Sequence, residues 1–261
     1  MNHLPKKVIY KEIINNGFCL ELREAYLQIH NELNLEISGI FNLNNWIAYV
    51  YYTNILCLFF HDKNIKIIDW GGGFGHVTKM LENLFFNNIY NYVLYPPKGY
   101  EVFADKLSIK SIYGKHPSTI ELSTTEIDCL ISSGVFEHVQ EDGIGSELET
   151  LLEIHRVLKP GGYFILWNLP TKLSLPDIKN KFKGNWYHVF RYSRKEITSL
   201  LNNNGFKIIL LEKHKLLPDF IYNYVINRKG LLHALIFDER ISLLFPFSIF
   251  ARDFIIIAQK Q

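Results

Sequence analysis

From about residue 64 to residue 212, short apolar runs alternate with segments whose apolar residues fall at helical spacing. Ile65-Lys66-Ile67-Ile68-Asp69-Trp70 is a brief apolar run ending in an acid and then glycines, as a buried parallel strand ends in a loop. His76 to Phe85 places Val77, Met80, Leu81 and Leu84 on one helical face. A second strand, Ile89 to Tyr95, halts at Pro96-Pro97, since proline cannot continue a central strand. Leu107 to Tyr113 is a weaker third strand, and Ile127 to Ser133 a clear fourth. Leu148, Leu151, Leu152 and Leu158 mark a helix expected to stop at Lys159-Pro160-Gly161-Gly162. Strands follow at Tyr163 to Leu169, Phe206 to Glu212 and Phe254 to Gln259, with a helix over Glu196 to Asn204 closed by Gly205. Residues 1–63 read as helical, with Leu20, Leu22, Ala25, Tyr26 and Ile29 on one face. This alternation predicts an α/β fold: a mostly parallel sheet with helices on both faces. No repeat or linker divides the chain, which reads as one domain of 261 residues.

Composition narrows the class. Hydrophobic residues make up 48% and charged residues 21%, so a sizeable core is expected. A net charge of +2 gives no basic face for nucleic acid. Cys19, Cys57 and Cys129 are scattered, which suits a reduced, cytoplasmic protein without a disulfide or zinc framework. The chain begins without an apolar run of signal-peptide type. Trp46 to Phe60 is too short and too rich in Tyr, Thr and Asn to span a bilayer, and reads as a buried amphipathic helix.

The densest chemical signal is Asp69-Trp70-Gly71-Gly72-Gly73-Phe74-Gly75-His76. Glycines directly after a strand allow a tight turn and let a ligand reach the backbone, while the next helix points free N–H groups at it. A bare strand-to-helix connection is the plain alternative. The spacing discriminates among ligands. A dinucleotide loop needs G-x-G-x-x-G, and its third glycine would fall at His76; no G-x-x-x-x-G-K-[ST] is present either.

With these residues in place, the sequence resembles the class I S-adenosylmethionine-dependent methyltransferases, whose first motif reads hydrophobic strand, D/E, x, G, x, G, x, G. Ile131-Ser132-Ser133-Gly134-Val135-Phe136-Glu137-His138-Val139 is similar to that family's fourth-strand segment, and Ile154-His155-Arg156-Val157-Leu158-Lys159-Pro160-Gly161-Gly162 to its helix and turn before strand five. The resemblance implies a Rossmann-like seven-stranded sheet in the order 3-2-1-4-5-7-6 with strand seven antiparallel. Residues 64–212 would form the cofactor-binding core, 213–251 an apolar helical insertion and 252–261 the last strand. It further implies that S-adenosylmethionine is the cofactor and S-adenosylhomocysteine the product. The matching positions are Asp69, Gly71, Gly72, Gly73 and Gly75 in the loop, and Ser132, Ser133 and Gly134 at the edge of strand four. Two departures stand out. Strand two ends in Leu94-Tyr95-Pro96 where the family carries an acid, so Tyr95, or Glu101 reaching back, is expected along the adenosine. Lys115 and His116 stand where an acid often lies near the adenine.

For the acceptor, His138 is the first candidate general base and His188 the second, because a neutral imidazole accepts a hydroxyl proton near neutral pH. The plainer reading of Glu137-His138 is a pair that fixes the loop after strand four. Asn185 to Tyr192 is either an acceptor-binding stretch or a loop pinned by its aromatics. No third ligand stands at metal spacing, so no metal is expected. Tyr95-Pro96-Pro97 follows the wrong strand for the nucleobase amino-methylating motif. The expected reaction is methyl transfer to an oxygen, or less favourably a nitrogen, of a small-molecule or glycan acceptor. Alternatives are a non-catalytic S-adenosylmethionine-binding protein and a quinone or secondary-metabolite methyltransferase. The apolar stretch after residue 213 could also serve as a lid, a homodimer face or a surface touching lipid-linked substrates, without stable membrane insertion.

Overall fold

The computed structural model describes residues 18–35, 39–84, 86–141, 143, 145–175, 178, 189–217 and 219–261. Its strands are β1 (Ile67–Trp70), β2 (Ile89–Val93), β3 (Ser111–Tyr113), β4 (Ile127–Ser133), β5 (Leu158–Pro170), β6 (Phe206–His214) and β7 (Asp253–Lys260). They form a 7-stranded sheet in the order β3-β2-β1-β4-β5-β7-β6, with β7 antiparallel to both neighbours, as the family resemblance implies. The helices are α1 (Phe18–Glu32), α2 (Leu43–Phe59), α3 (His76–Asn83), α4 (Tyr100–Lys106), α5 (Glu147–Val157), α6 (Arg194–Asn203), α7 (Asp219–Lys229) and α8 (Leu231–Leu243).

Strand alternation sorts the core into two layers. Ile67, Ile131, Ile165, Trp167, Ile255 and Ile257 point to the face covered by α1, α2 and α3. Ile68, Trp70, Leu130, Phe164, Leu166, Phe254 and Ile256 point to the face covered by α5 and α6. Both faces of the central strands are buried, which is why those strands read as continuous apolar runs.

The N-terminal helices lie on the first of these layers. In α1, Leu22, Tyr26 and Ile29 are buried one helical face apart, and the Tyr26 hydroxyl donates to the Phe74 carbonyl at 3.0 Å, tying the helix to the glycine loop. Every residue from Trp46 to Asn54 in α2 is buried, so this helix is enclosed nearly all round rather than amphipathic. No helix among the described residues is long and apolar enough to cross a membrane.

Two boundaries differ from the sequence expectation. β5 begins at Leu158, so Lys159-Pro160-Gly161-Gly162 lies inside the strand: α5 passes into β5 through the extended backbone of Leu158. The pairing with β4 is irregular between Ile127 and Cys129, where the proline sits. The apolar spacing over 100–106 does not predict α4, and β3 is confined to Ser111–Tyr113 because Leu107 to Lys110 is the turn leaving α4. Ser193 and Glu196 form a capping box at the start of α6.

Candidate functional site

The parallel strands deliver their carboxyl ends to one edge, where crevice ligands bind in doubly wound sheets. β1 ends there at Asp69 and Trp70, β4 at Ser133, β5 near Asn168 and β6 at His214; antiparallel β7 begins there at Asp253. A cavity of about 330 Å³ opens along this edge, lined by Asp69, Gly71 to Gly73, Ser133, Gly134, Glu137, Asn168 and Lys215 among others. A smaller one of about 150 Å³, lined in part by Val93, Leu94 and Tyr95, shares Gly71, Gly73, Val135 and His138 with it.

The glycine loop is shaped from within. Asp69 is fully buried, and one carboxylate oxygen, Oδ2, accepts from the Thr78 backbone N–H (3.2 Å) and hydroxyl (2.9 Å). It thereby satisfies an otherwise orphaned N–H in the first turn of α3 and meets the positive end of the helix dipole. Burial dominates nonetheless and raises the carboxyl pKa to about 6. Oδ1 has no partner among the described residues. On β2, the buried Asn91 amide donates to the Gly73 carbonyl (3.3 Å) and the Tyr100 hydroxyl (2.9 Å). A Cβ on Gly72 would meet Asn91 Oδ1 at 2.1 Å and Asp69 Oδ2 at 2.5 Å, so packing alone demands glycine there. At Gly73 the φ angle is +53° and a Cβ would meet nothing within 4 Å: this glycine faces open space.

Across the cavity lies a polar cluster far apart in sequence. Asn168, at φ 55°, accepts through Oδ1 from the Tyr52 hydroxyl and the Lys215 ammonium, each at 2.7 Å, and its amide donates to Ser133 Oγ at 3.2 Å. The Lys215 ammonium stands 3.3 Å from Asp253 Oδ2. Burial pulls the Lys215 pKa down while Asp253 opposes the change. His76 is buried against Tyr49 and Trp46, and desolvation lowers its pKa to about 4, so it is neutral.

The structure gathers most of the residues singled out from sequence, but not all of them. Asp69, Gly71, Gly72, Gly73, Ser133, Gly134 and His138 line the larger cavity, and Tyr95, 63% exposed, lines the smaller. Gly75 and Ser132 line neither. A Cβ on Gly75 would press on Ile109 at 2.9 Å, and Ser132 Oγ accepts from the Phe136 N–H, pinning the turn after β4. Glu101 accepts from the Tyr113 hydroxyl, and His116 Nδ1 accepts from the Ser118 N–H. His188 and the Asn185 to Tyr187 stretch lie outside the described residues. Asn168, Lys215 and Asp253 escaped the sequence reading. Their only local sign is a polar residue interrupting or ending an apolar strand.

A methyltransferase-domain family model matches residues 44–211, more than half of the chain. The chain belongs to the methyltransferase-domain family. No curated protein matches it in sequence. Among solved structures, an S-adenosylmethionine-dependent methyltransferase from Thermotoga maritima aligns at 15% identity, with a TM-score of 0.54 over 98% of this chain and 99% of its own. One from Archaeoglobus fulgidus aligns at 15% identity and a TM-score of 0.55, over 90% and 99%. A Galdieria sulphuraria protein, proposed to be a sarcosine dimethylglycine methyltransferase, aligns at 15% identity and 0.57, over 92% and 98%. At such identities the likeness is one of fold. The methyltransferase's cofactor is S-adenosylmethionine, and the site fits it: an open glycine backbone, the unpartnered Asp69 Oδ1, and a second recess walled by the Tyr95 ring. When bound, this cofactor supplies a methyl group already activated by a sulfonium.

Proposed function

We propose that this methyltransferase transfers the methyl group of S-adenosylmethionine to an oxygen, or less favourably a nitrogen, of a small-molecule or saccharide acceptor. One observation carries the reading: a single cavity runs from the glycine loop to the polar cluster of Asn168, Lys215, Arg252 and Asp253. Donor and acceptor would therefore meet in one open cleft, and alignment supplies most of the acceleration of an in-line displacement. Asp69, Gly71, Gly72 and Gly73 hold the amino-acid end of the donor, with Gly75 setting the turn. Ser133 and Gly134 border its centre, Ser132 steadies that border, and Tyr95 lies along the adenosine. A cavity of about 330 Å³ with polar walls favours a compact, hydrogen-bonding acceptor over a nucleic-acid strand. Residues 1–63, 64–212, 213–251 and 252–261 act together as one methyltransferase domain, working in the cytoplasm.

Incubation with methyl-labelled S-adenosylmethionine and fractionated extract of the source cell, followed by mass identification of the labelled species, tests the reading. A labelled hydroxylated small molecule or sugar is the expected product. Tight NAD binding with no response to S-adenosylmethionine or S-adenosylhomocysteine in calorimetry would overturn it.

A further inference from the structure

Glu137 sits in the short 3-10 turn Phe136–His138 after β4, with only 1% of its surface exposed, yet it lines the larger cavity. Its Oε1 accepts no hydrogen bond from the described residues. A buried carboxyl oxygen without a partner is costly, and a purely structural residue at this position would be expected to satisfy it. Oε1 also lies 3.9 Å from where a Cβ on Gly134 would stand, so it borders the same turn as the proposed donor contacts. Next to it, His138 is 41% exposed, its Nδ1 is paired with Glu141, and its Nε2 stands 3.9 Å from Glu137 Oε1. The three residues thus lead from an enclosed carboxyl to solvent.

We propose that the Glu137 carboxylate takes the proton of the attacking acceptor group, and that His138, oriented by Glu141, passes that proton out to solvent. This rests on the methyltransferase reading above and reassigns the base from the histidine to its buried neighbour. The acceptor oxygen forms the new O–C bond as the S–C bond breaks with its electron pair left on sulfur, and the O–H proton goes to Glu137. His138, with Nδ1–H donated to Glu141, offers Nε2 to receive the proton and reset the site. The groups facing Glu137 are Asp253 at the start of β7, His138 in the same turn, Glu141 just beyond it, and Tyr192 before α6; Lys215, Arg252 and Asp69 share its cavity. Burial above all, with Asp253 and Glu141 adding to it, raises the Glu137 pKa to about 8. A cation arriving in the same cavity favours the carboxylate and expels the proton.

Calorimetry in buffers of differing ionisation heat at pH 7 tests this with two probes. S-adenosylmethionine, a sulfonium, should release close to one more proton on binding than S-adenosylhomocysteine, a thioether. Glu137→Gln should bind both and lose the difference. Once the labelled-methyl experiment supplies an acceptor, wild-type kcat/KM for S-adenosylmethionine should rise with pH through about 8. Glu137→Gln should remove that limb and lower kcat by ~10²–10⁴-fold. His138→Ala should slow turnover and be restored by added imidazole. Equal proton release by the two ligands on the wild-type protein would overturn the assignment without any variant, as would near-normal turnover by folded Glu137→Gln. If neither ligand binds the wild type, the methyltransferase reading itself has failed.

Discussion

Replacing Asp69 by Asn separates what this carboxylate costs the fold from what it does for the ligand. The side chain is fully buried, and its pKa rises from 3.8 to about 6 despite two hydrogen bonds from Thr78. A carboxyl whose folded pKa is raised contributes stability that is complete below the unfolded pKa and lost as pH climbs through the folded one. The loss therefore falls between pH 3.8 and about 6. At roughly 1.4 kcal/mol for each pH unit, the ionised group costs on the order of 3 kcal/mol above that window. The amide keeps an oxygen for Thr78, and Asn91 Oδ1, without a partner among the described residues, flanks Gly72 beside it. Scanning calorimetry across pH 4 to 8 should show the variant gaining on the wild type as pH rises. The full difference corresponds to roughly 6–12 °C in Tm for a chain of this size. Glu137 titrates in both proteins, so subtraction isolates Asp69. The same substitution should weaken S-adenosylhomocysteine binding by roughly tenfold or more, the worth of a charge-assisted hydrogen bond. A pH-independent difference, or lower stability at pH 8 with unchanged ligand affinity, would refute the reasoning.

Two further perturbations probe the loop and the sheet. Gly73→Leu should fold, with a left-handed backbone penalty of about 1–2 kcal/mol, and lose S-adenosylmethionine binding because the side chain fills the open space before the loop; normal affinity would place the ligand elsewhere. Trp167→Ala removes a buried indole stacked on Tyr52 at 5.1 Å and should cost about 3–5 kcal/mol in urea unfolding.

The sequence made the central strands legible because burial on both faces leaves an unbroken apolar run: β4 was delimited to the residue at Ile127 and Ser133. It differs where two local signals overlap. Pro160 and the glycines after it follow the helix end, as expected, but they also fall inside β5, which tolerates them at an irregular register and begins at Leu158 rather than Tyr163. α4 is seven residues long and buries only Tyr100 and Phe103, too little periodicity to detect. The proposed donor side is legible because glycine spacing is written within eight consecutive residues. The proposed acceptor side is not: Tyr52 lies in α2, Asn168 in β5, Lys215 just after β6 and Asp253 in β7, and only the sheet order brings them together.

That cluster has a bearing on how such a protein can change its chemistry. The chain leaves the sheet at Lys215 and returns at Arg252, and the two ends are laced by the Arg252 N–H donating to the Lys215 carbonyl at 3.0 Å and by the Lys215–Asp253 ion pair. With its neck closed in this way, the excursion carrying α7 and α8 can lengthen, shorten or be exchanged at a loop-closure cost that grows only logarithmically with length, while the register of β6 and β7 stays put. Because residues at the neck also wall the cavity, each such exchange re-furnishes the proposed acceptor side and leaves the glycine loop, at the other end of the cavity, untouched. On the proposed function, donor use and acceptor choice are thereby free to evolve at different rates within one chain.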